Sequence, residues 1–302
     1  MLDGIELEKH FIEVNGVQLH VVLAGDENGE PILLLHGFPE FWYGWRRQIP
    51  YLVEQGYRVV VPDQRGYNLS DKPKDVGAYH IDQLANDAVT LMANLGYETF
   101  NLVGHDWGAA VSWWVASKHA DKLRKLVILN VPHPSIMAME LTQNLKQLAK
   151  SWYMFFFQIP VLPENLIGMN DFKQFAEGMQ GNAKKGSFTD ADMEAYKRAW
   201  GQPNAMKSMI NWYRASTRPS SSSSSSSSKK LRISTPTLIL WGENDVALTK
   251  ELAEKSLDIC TDGELIFYPN ATHWLQHDEA DSVNEQIHEF ISRVVEIAET
   301  VE

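Results

Sequence analysis

The sequence predicts an α/β fold built on a mostly parallel sheet, and three observations carry that expectation. Between Pro31 and Asn130, short apolar runs of strand length alternate with stretches of helical spacing. Those runs are apolar throughout, as in strands covered by helices on both faces. After a long helical interruption the same rhythm resumes at Pro236. A chain of 302 residues buries about three quarters of its unfolded surface, enough for one large core or a core carrying an insertion. Hydrophobic residues at 44% and charged residues at 22% are ordinary for such a protein.

Phe11 to Leu23 alternates apolar and polar residues around Asn15-Gly16, a hairpin signature. Asn28-Gly29 marks another turn before Pro31–His36, a continuous apolar strand that ends in His36-Gly37-Phe38-Pro39. From Trp42 to Val53 the spacing is helical, with Trp45, Ile49 and Leu52 on one face. Tyr57–Pro62 is the next strand, followed by the turn-rich Asp63–Ser70. Ile81–Leu95 reads as an amphipathic helix. Phe100, Leu102 and Val103 form a strand running into Gly104-His105-Asp106-Trp107-Gly108, and the apolar residues from Ala109 to Val115 continue as a buried helix. Leu126–Asn130 is the strand after it. Pro236–Trp241 resumes the sheet and ends in Gly242-Glu243-Asn244-Asp245. Glu264–Tyr268 is the last strand, Asn270–Trp274 a loop, and Val283–Val295 a closing amphipathic helix.

The rhythm breaks at Pro132-His133-Pro134. From there to Arg218 the chain is rich in Met, Trp, Phe and Tyr and shows no strand-like run. The expected organisation is a core of residues 1–132 and 229–302, with residues 133–228 inserted as a helical cap. Ser220–Ser228 is an uninterrupted serine run, too polar to pack, and is expected to behave as a flexible linker.

The net charge of −12 argues against nucleic acid or an anionic membrane as partner. Cys260 is the single cysteine, which rules out an internal disulfide and a thiolate metal cluster. Neither a metal nor a cofactor is expected. The first nine residues lack a basic segment followed by an apolar core, so no signal peptide is expected. No apolar run reaches membrane-spanning length, the Trp152–Ile159 patch being far too short. The expectation is a cytoplasmic enzyme, monomeric or homodimeric, acting on a small molecule.

Gly104 to Gly108, set between strand and helix, has the shape of the nucleophile elbow, written Gly-x-Ser-x-Gly in α/β hydrolases. Its glycines are needed because strand and helix backbones pass too close for Cβ atoms. Its centre is strained, with the side chain exposed above the sheet. Here the centre is Asp106 rather than serine. A serine hydroxyl must lose a proton before attack and suits acyl carbon, whereas a carboxylate is already charged at neutral pH. Attack on an ester would give a reactive anhydride. Attack on a saturated carbon gives an ordinary ester that water can cut at the aspartate's own carbonyl. Asp106 therefore suggests opening an epoxide or expelling a halide. Taken alone, the motif is also compatible with a plain turn in which Asp106 caps the helix.

The order nucleophile, acid, histidine is that of α/β-hydrolase triads, and Asp106, Asp245 and His273 fit it, each just past an expected strand. His273 would take a proton from water attacking the Asp106 ester, and Asp245 would fix its tautomer. Asp245 could instead cap a helix from Thr249, and Glu243 is a weaker candidate for the acid. Backbone N–H groups of Phe38 and Trp107 are the expected oxyanion donors.

His36-Gly37-Phe38-Pro39-Glu40-Phe41-Trp42-Tyr43-Gly44-Trp45-Arg46 resembles a motif of the α/β-hydrolase-fold epoxide hydrolases. So do Asp63-Gln64-Arg65-Gly66-Tyr67, the Gly104–Gly108 elbow and Asn211-Trp212-Tyr213-Arg214. The resemblance covers essentially the whole chain and is closest to bacterial, soluble-type members. It implies the α/β-hydrolase fold with an inserted cap, and hydrolysis of an epoxide to a vicinal diol, with epoxide and water as partners. In that family two cap tyrosines hold the epoxide oxygen and donate protons as the ring opens. Tyr213 matches one of them, and Tyr153, within Trp152–Gln158, the other. The chemistry asks for them, because an alkoxide is a poor leaving group unless protonated. Phe38, Trp107, Met154 and Trp274 are expected to contact substrate.

Haloalkane dehalogenases are the alternative, since they share the aspartate elbow. A halide leaves without protonation, however, and their strand-end motif carries Asn where Phe38 stands. Fluoroacetate dehalogenases place an arginine where Trp107 stands. A small-molecule receptor without turnover would need neither triad nor phenols. His105 is expected to orient the elbow, and Asp63 with Arg65 to form a turn network; His36, His133 and His277 stay unassigned.

Overall fold

The computed structural model describes residues 2–218 and 231–293. The serine run Ser220–Ser228, with its expected linker role, lies outside the described residues, as do the last residues of the helix expected over Val283–Val295. The strands are β1 (Glu8–Val14), β2 (Val17–Ala24), β3 (Glu30–Leu35), β4 (Tyr57–Pro62), β5 (Phe100–His105), β6 (Leu123–Leu129), β7 (Thr237–Gly242) and β8 (Gly263–Tyr268). They form one sheet in the order β1-β2-β4-β3-β5-β6-β7-β8. The β1–β2 hairpin and the β2–β4 pair are antiparallel, and every other pair is parallel.

The continuous apolar runs have a direct structural cause. Successive side chains of a strand point to opposite faces, and here both faces are covered. Ile32, Leu34, Val59, Val61, Val103 and Val127 join one hydrophobic cluster. Their neighbours Leu33, Leu35, Val60, Leu102, Leu126 and Ile128 join the other. β1, at the sheet edge, instead exposes Lys9, His10 and Glu13, charges of the kind that discourage edge-to-edge pairing.

Helices α1 (Gln48–Glu54), α2 (Ile81–Asn94) and α3 (Trp107–Lys118) connect the first strands. Between β6 and β7 lie α4 (Pro134–Gln143), α5 (Leu145–Lys150), α6 (Trp152–Phe156), α7 (Leu162–Gly168), α8 (Lys173–Gly181), α9 (Asp190–Trp200) and α10 (Ala205–Ser216). The chain closes with α11 (Glu251–Leu257), α12 (Leu275–Asp278) and α13 (Ala280–Ser292). Among the described residues no helix is long and apolar enough to cross a membrane.

The helix expected over Trp42–Val53 is broken into a 3-10 turn, Trp42–Trp45, and α1. Pro50 is the reason: it has no N–H to donate four residues back, so it is tolerated only in the first turn of a helix. The closing helix begins three residues earlier than expected, and α12 precedes it, directly after the loop expected over Asn270–Trp274.

The segment α4–α10 packs over the carboxyl ends of the strands and shares their core. Trp200 and Trp212 belong to the same cluster as Leu33 and Leu102. Buried polar bonds tie the layers together: Trp200 Nε1 donates to Pro39 O at 2.6 Å and Trp212 Nε1 to Arg65 O at 2.9 Å. The chain leaves β3 for β4 on one side and returns to β5 on the other. The loops after β3 and β5 therefore diverge, and the crevice at such a switch point is where ligands bind in open α/β sheets.

Candidate active site

Asp106 joins β5 to α3 with φ 50° and ψ −122°, a conformation held only when the surroundings demand it. Neighbouring backbone enforces it. A Cβ on Gly108 would overlap the carbonyl oxygen of Leu35, and one on Gly104 would lie 2.7 Å from the Ala109 Cα. The Asp106 side chain makes no capping bond to α3, unlike a plain helix cap. Its Oδ1 instead accepts the Phe38 N–H at 2.6 Å, and its Oδ2 lies 3.5 Å from His273 Nε2. Trp107 opens α3, so its N–H is among those a helix leaves unpaired.

His273 Nδ1 lies 2.7 Å from Asp245 Oδ2. Asp245 is buried and richly bonded: Oδ2 also accepts from Asn130 Nδ2 at 2.9 Å, and Oδ1 from the N–H groups of Ala247 and Leu248 at 2.7 and 2.9 Å. The residue thus shapes its loop and holds the histidine at once. Burial works against its charge, but His273 and these donors outweigh it and lower its pKa. Burial also opposes a charged His273, yet the Asp245 and Asp106 carboxylates prevail and hold its pKa well above the usual histidine value. Glu243, the weaker candidate, pairs with the exposed Lys250 at 2.7 Å instead.

A cavity of about 390 Å³ opens beside Asp106, and Trp107, Tyr153, Met154 and Tyr213 line it with the carboxylate. The two tyrosine rings stand 6.0 Å apart, centroid to centroid. Gln158 links their helices, donating to Met154 O at 3.0 Å and Tyr213 O at 2.9 Å. Burial, reinforced by the Asp106 charge, raises both phenol pKa values, so both stay protonated and able to donate. Phe38 and Trp274, expected to contact substrate, are not on the cavity wall. Trp274 turns into the core at the start of α12, where it packs on Phe188, His105 and His273.

Sequence reasoning missed the group behind the histidine. Glu40 is buried and accepts from His277 Nε2 at 2.7 Å, Tyr196 Oη at 2.6 Å and Gln276 Nε2 at 2.9 Å. Burial alone would raise its pKa; His277 and His105 reverse that and hold it well below the usual carboxylate range. His105 Nε2 donates to the His273 carbonyl at 2.7 Å, so this network grips the backbone of His273. Its only sequence signal is a carboxylate placed amid apolar residues, because its partners lie more than 60 positions away. His273 and His277 also have the four-residue spacing of a helical metal pair, but their rings serve Asp245 and Glu40 separately. His36 accepts the Gln64 N–H at 3.1 Å, Arg65 forks onto Asp87 with two bonds of 2.7 Å, and Asp63 binds the Trp42 N–H at 2.9 Å. These ties stiffen the loops around the crevice.

The family described as alpha/beta hydrolase fold matches residues 30–280. AB hydrolase superfamily protein YfhM of Bacillus subtilis is 41% identical over 290 residues, which cover 96% of this chain and 99% of that one. Epoxide hydrolase 1 of Caenorhabditis elegans is 38% identical over 294 residues, covering 95% of this chain and 70% of its own. Among solved structures, an epoxide hydrolase of Bacillus megaterium in complex with an inhibitor superimposes with a TM-score of 0.84 at 31% identity, over 94% of this chain and all of that one.

Proposed function

We propose, for a chain that belongs to the alpha/beta hydrolase fold family and is a hydrolase acting on epoxides, that turnover runs through a covalent ester on Asp106. The Tyr153 and Tyr213 phenols hold the epoxide oxygen while an Asp106 carboxylate oxygen attacks a ring carbon from the opposite side. The C–O bond breaks, its electron pair stays on oxygen, and one phenol supplies the proton. Water then attacks the Asp106 carbonyl carbon and gives a proton to His273 Nε2. Negative charge builds on the side-chain oxygen, where the Phe38 and Trp107 N–H groups receive it. Collapse breaks the bond to the substrate oxygen, His273 protonates the departing alkoxide, and the diol leaves. The proton then left on Asp106 neutralises the tyrosinate.

What supports this sequence of steps is one juxtaposition: Asp106 shares its cavity with two neutral phenols and stands 3.5 Å from the histidine. In the same proposal residues 133–228 serve as a cap over the core of residues 1–132 and 229–302, bringing the phenols to the carboxylate. A single turnover of styrene oxide in heavy-oxygen water is the test. The label is expected first in the Asp106 carboxyl and only later in the diol; immediate label in the diol would mean direct attack by water. Asp106→Asn is expected to abolish steady diol release. Halide release from a bromoalkane at a comparable rate would favour the dehalogenase alternative.

A further inference from the structure

Resting on that reading of Asp245 and His273, we propose that Gln147 and Lys150 of α5 are positioning residues for Asp245, and that they serve breakdown of the ester rather than its formation. α5 lies in the segment between β6 and β7, and Asp245 in the loop after β7. The helix has only 6 residues, so its placement comes from its ends. Asn144 caps it, with Oδ1 accepting the N–H groups of Lys146 at 3.1 Å and Gln147 at 3.2 Å. Gln147 and Lys150 stand one turn apart and share a face. That face meets the loop of Asp245.

Gln147 is fully buried. Its Nε2 donates to Ala247 O and to Ser151 Oγ, each at 2.9 Å, and its Oε1 accepts the Thr249 N–H at 3.0 Å. Ala247 O and the Leu248 N–H are two ends of one peptide group, and that N–H donates to Asp245 Oδ1 at 2.9 Å. One planar unit thus joins the Gln147 amide to the carboxylate, and a bond accepted at its oxygen strengthens the N–H at its other end as a donor. Lys150 Nζ donates to the backbone carbonyl of Asp245 itself at 2.8 Å. Side chain and main chain of Asp245 are therefore both held from α5. Oδ2, which faces His273 Nδ1, keeps its direction only while the loop keeps its own. The two chemical steps need this differently. Attack by Asp106 on the epoxide draws its proton from a phenol and asks nothing of Asp245. Ester breakdown needs His273 Nε2 to accept a proton while Asp245 holds the other nitrogen and balances the imidazolium charge. A loosened loop costs the second step alone.

Rapid-quench mass spectrometry of single turnovers of styrene oxide reads both steps, as the rise and the decay of alkylated Asp106. Gln147→Met, similar in length but without donor or acceptor, is expected to slow the decay about tenfold and to leave the rise within about threefold. The Leu248 amide proton is expected to move upfield in the NMR spectrum of this variant, because its bond to Asp245 weakens once the Gln147 donor is gone. Lys150 is only half-buried and provides a change that spares the core should Gln147→Met not fold. Lys150→Met is expected to slow the decay in the same way, and Lys150→Arg, which keeps a donor, to restore it. A decay unchanged in the folded Met variants, or a rise and a decay slowed alike, would overturn the inference. Wild-type Asp106 left unlabelled after turnover in heavy-oxygen water would instead overturn the ester mechanism beneath it.

Discussion

In the proposed mechanism the Asp106 carboxylate becomes an uncharged ester during turnover, and His273 would feel the difference. In the free protein two carboxylates hold the imidazolium against burial and keep its pKa raised. The proposed esterification of Asp106 would remove one of them. The folded pKa of His273 must then fall, so its neutral, proton-accepting form gains population as the ester appears. Single-turnover ester breakdown is expected to lose rate on the acid side at a lower pH than that at which His273 titrates in the free protein by NMR. Coincident values would show that Asp106 has no hold on the imidazolium. The phenols obey the opposite requirement, since their raised pKa values keep them protonated through the whole neutral range. Tyr153→Phe and Tyr213→Phe are each expected to slow alkylation of Asp106 about a hundredfold, read by rapid-quench mass spectrometry.

Among the elements, the strand-turn-helix unit β5–α3 has the least freedom. The obstacle to a side chain at Gly108 is the Leu35 carbonyl of β3, sheet backbone that cannot swing aside as a long side chain can. Gly108→Ala is expected to lower stability by about 3 kcal/mol, seen as a lower melting temperature. Activity should fall with it, because the same contact sets the Asp106 backbone. α6 and α10 show a different kind of coupling. They carry the two phenols on separate helices, and the Gln158 amide spans the gap where apolar contact alone would leave them free to slide.

For the molecule as a whole, the join between sheet and overlying helices matters most, and His133 sits at it. Its N–H donates to Ser256 Oγ at 3.1 Å, and its Nδ1 accepts the Ser135 N–H at 3.1 Å to cap α4. Burial lowers its pKa to about 4. As pH falls from about 6.5 toward that value, the unfolded chain binds a proton that the folded one refuses, so stability must fall through this window. His133→Asn is expected to flatten the urea-midpoint profile between about pH 6.5 and 4, removing a contribution on the order of 3 kcal/mol. An unchanged slope would mean that the ring is solvated in the folded state.

The order of strands and helices, the glycine-flanked bend and the carboxylate at its centre were all readable in the chain, because each depends on neighbours within a few residues. The break at Pro50 was also written there, as a missing donor that the helical spacing of Trp45, Ile49 and Leu52 masked. Packing decided the rest. Glu40 meets His277 across 237 positions, Trp274 turns inward because α12 starts beneath it, and the Phe38 ring packs on Phe175 of α8, which leans on Trp200 of α9. Such contacts join segments remote in the chain, and local periodicity says nothing of how one layer settles on another.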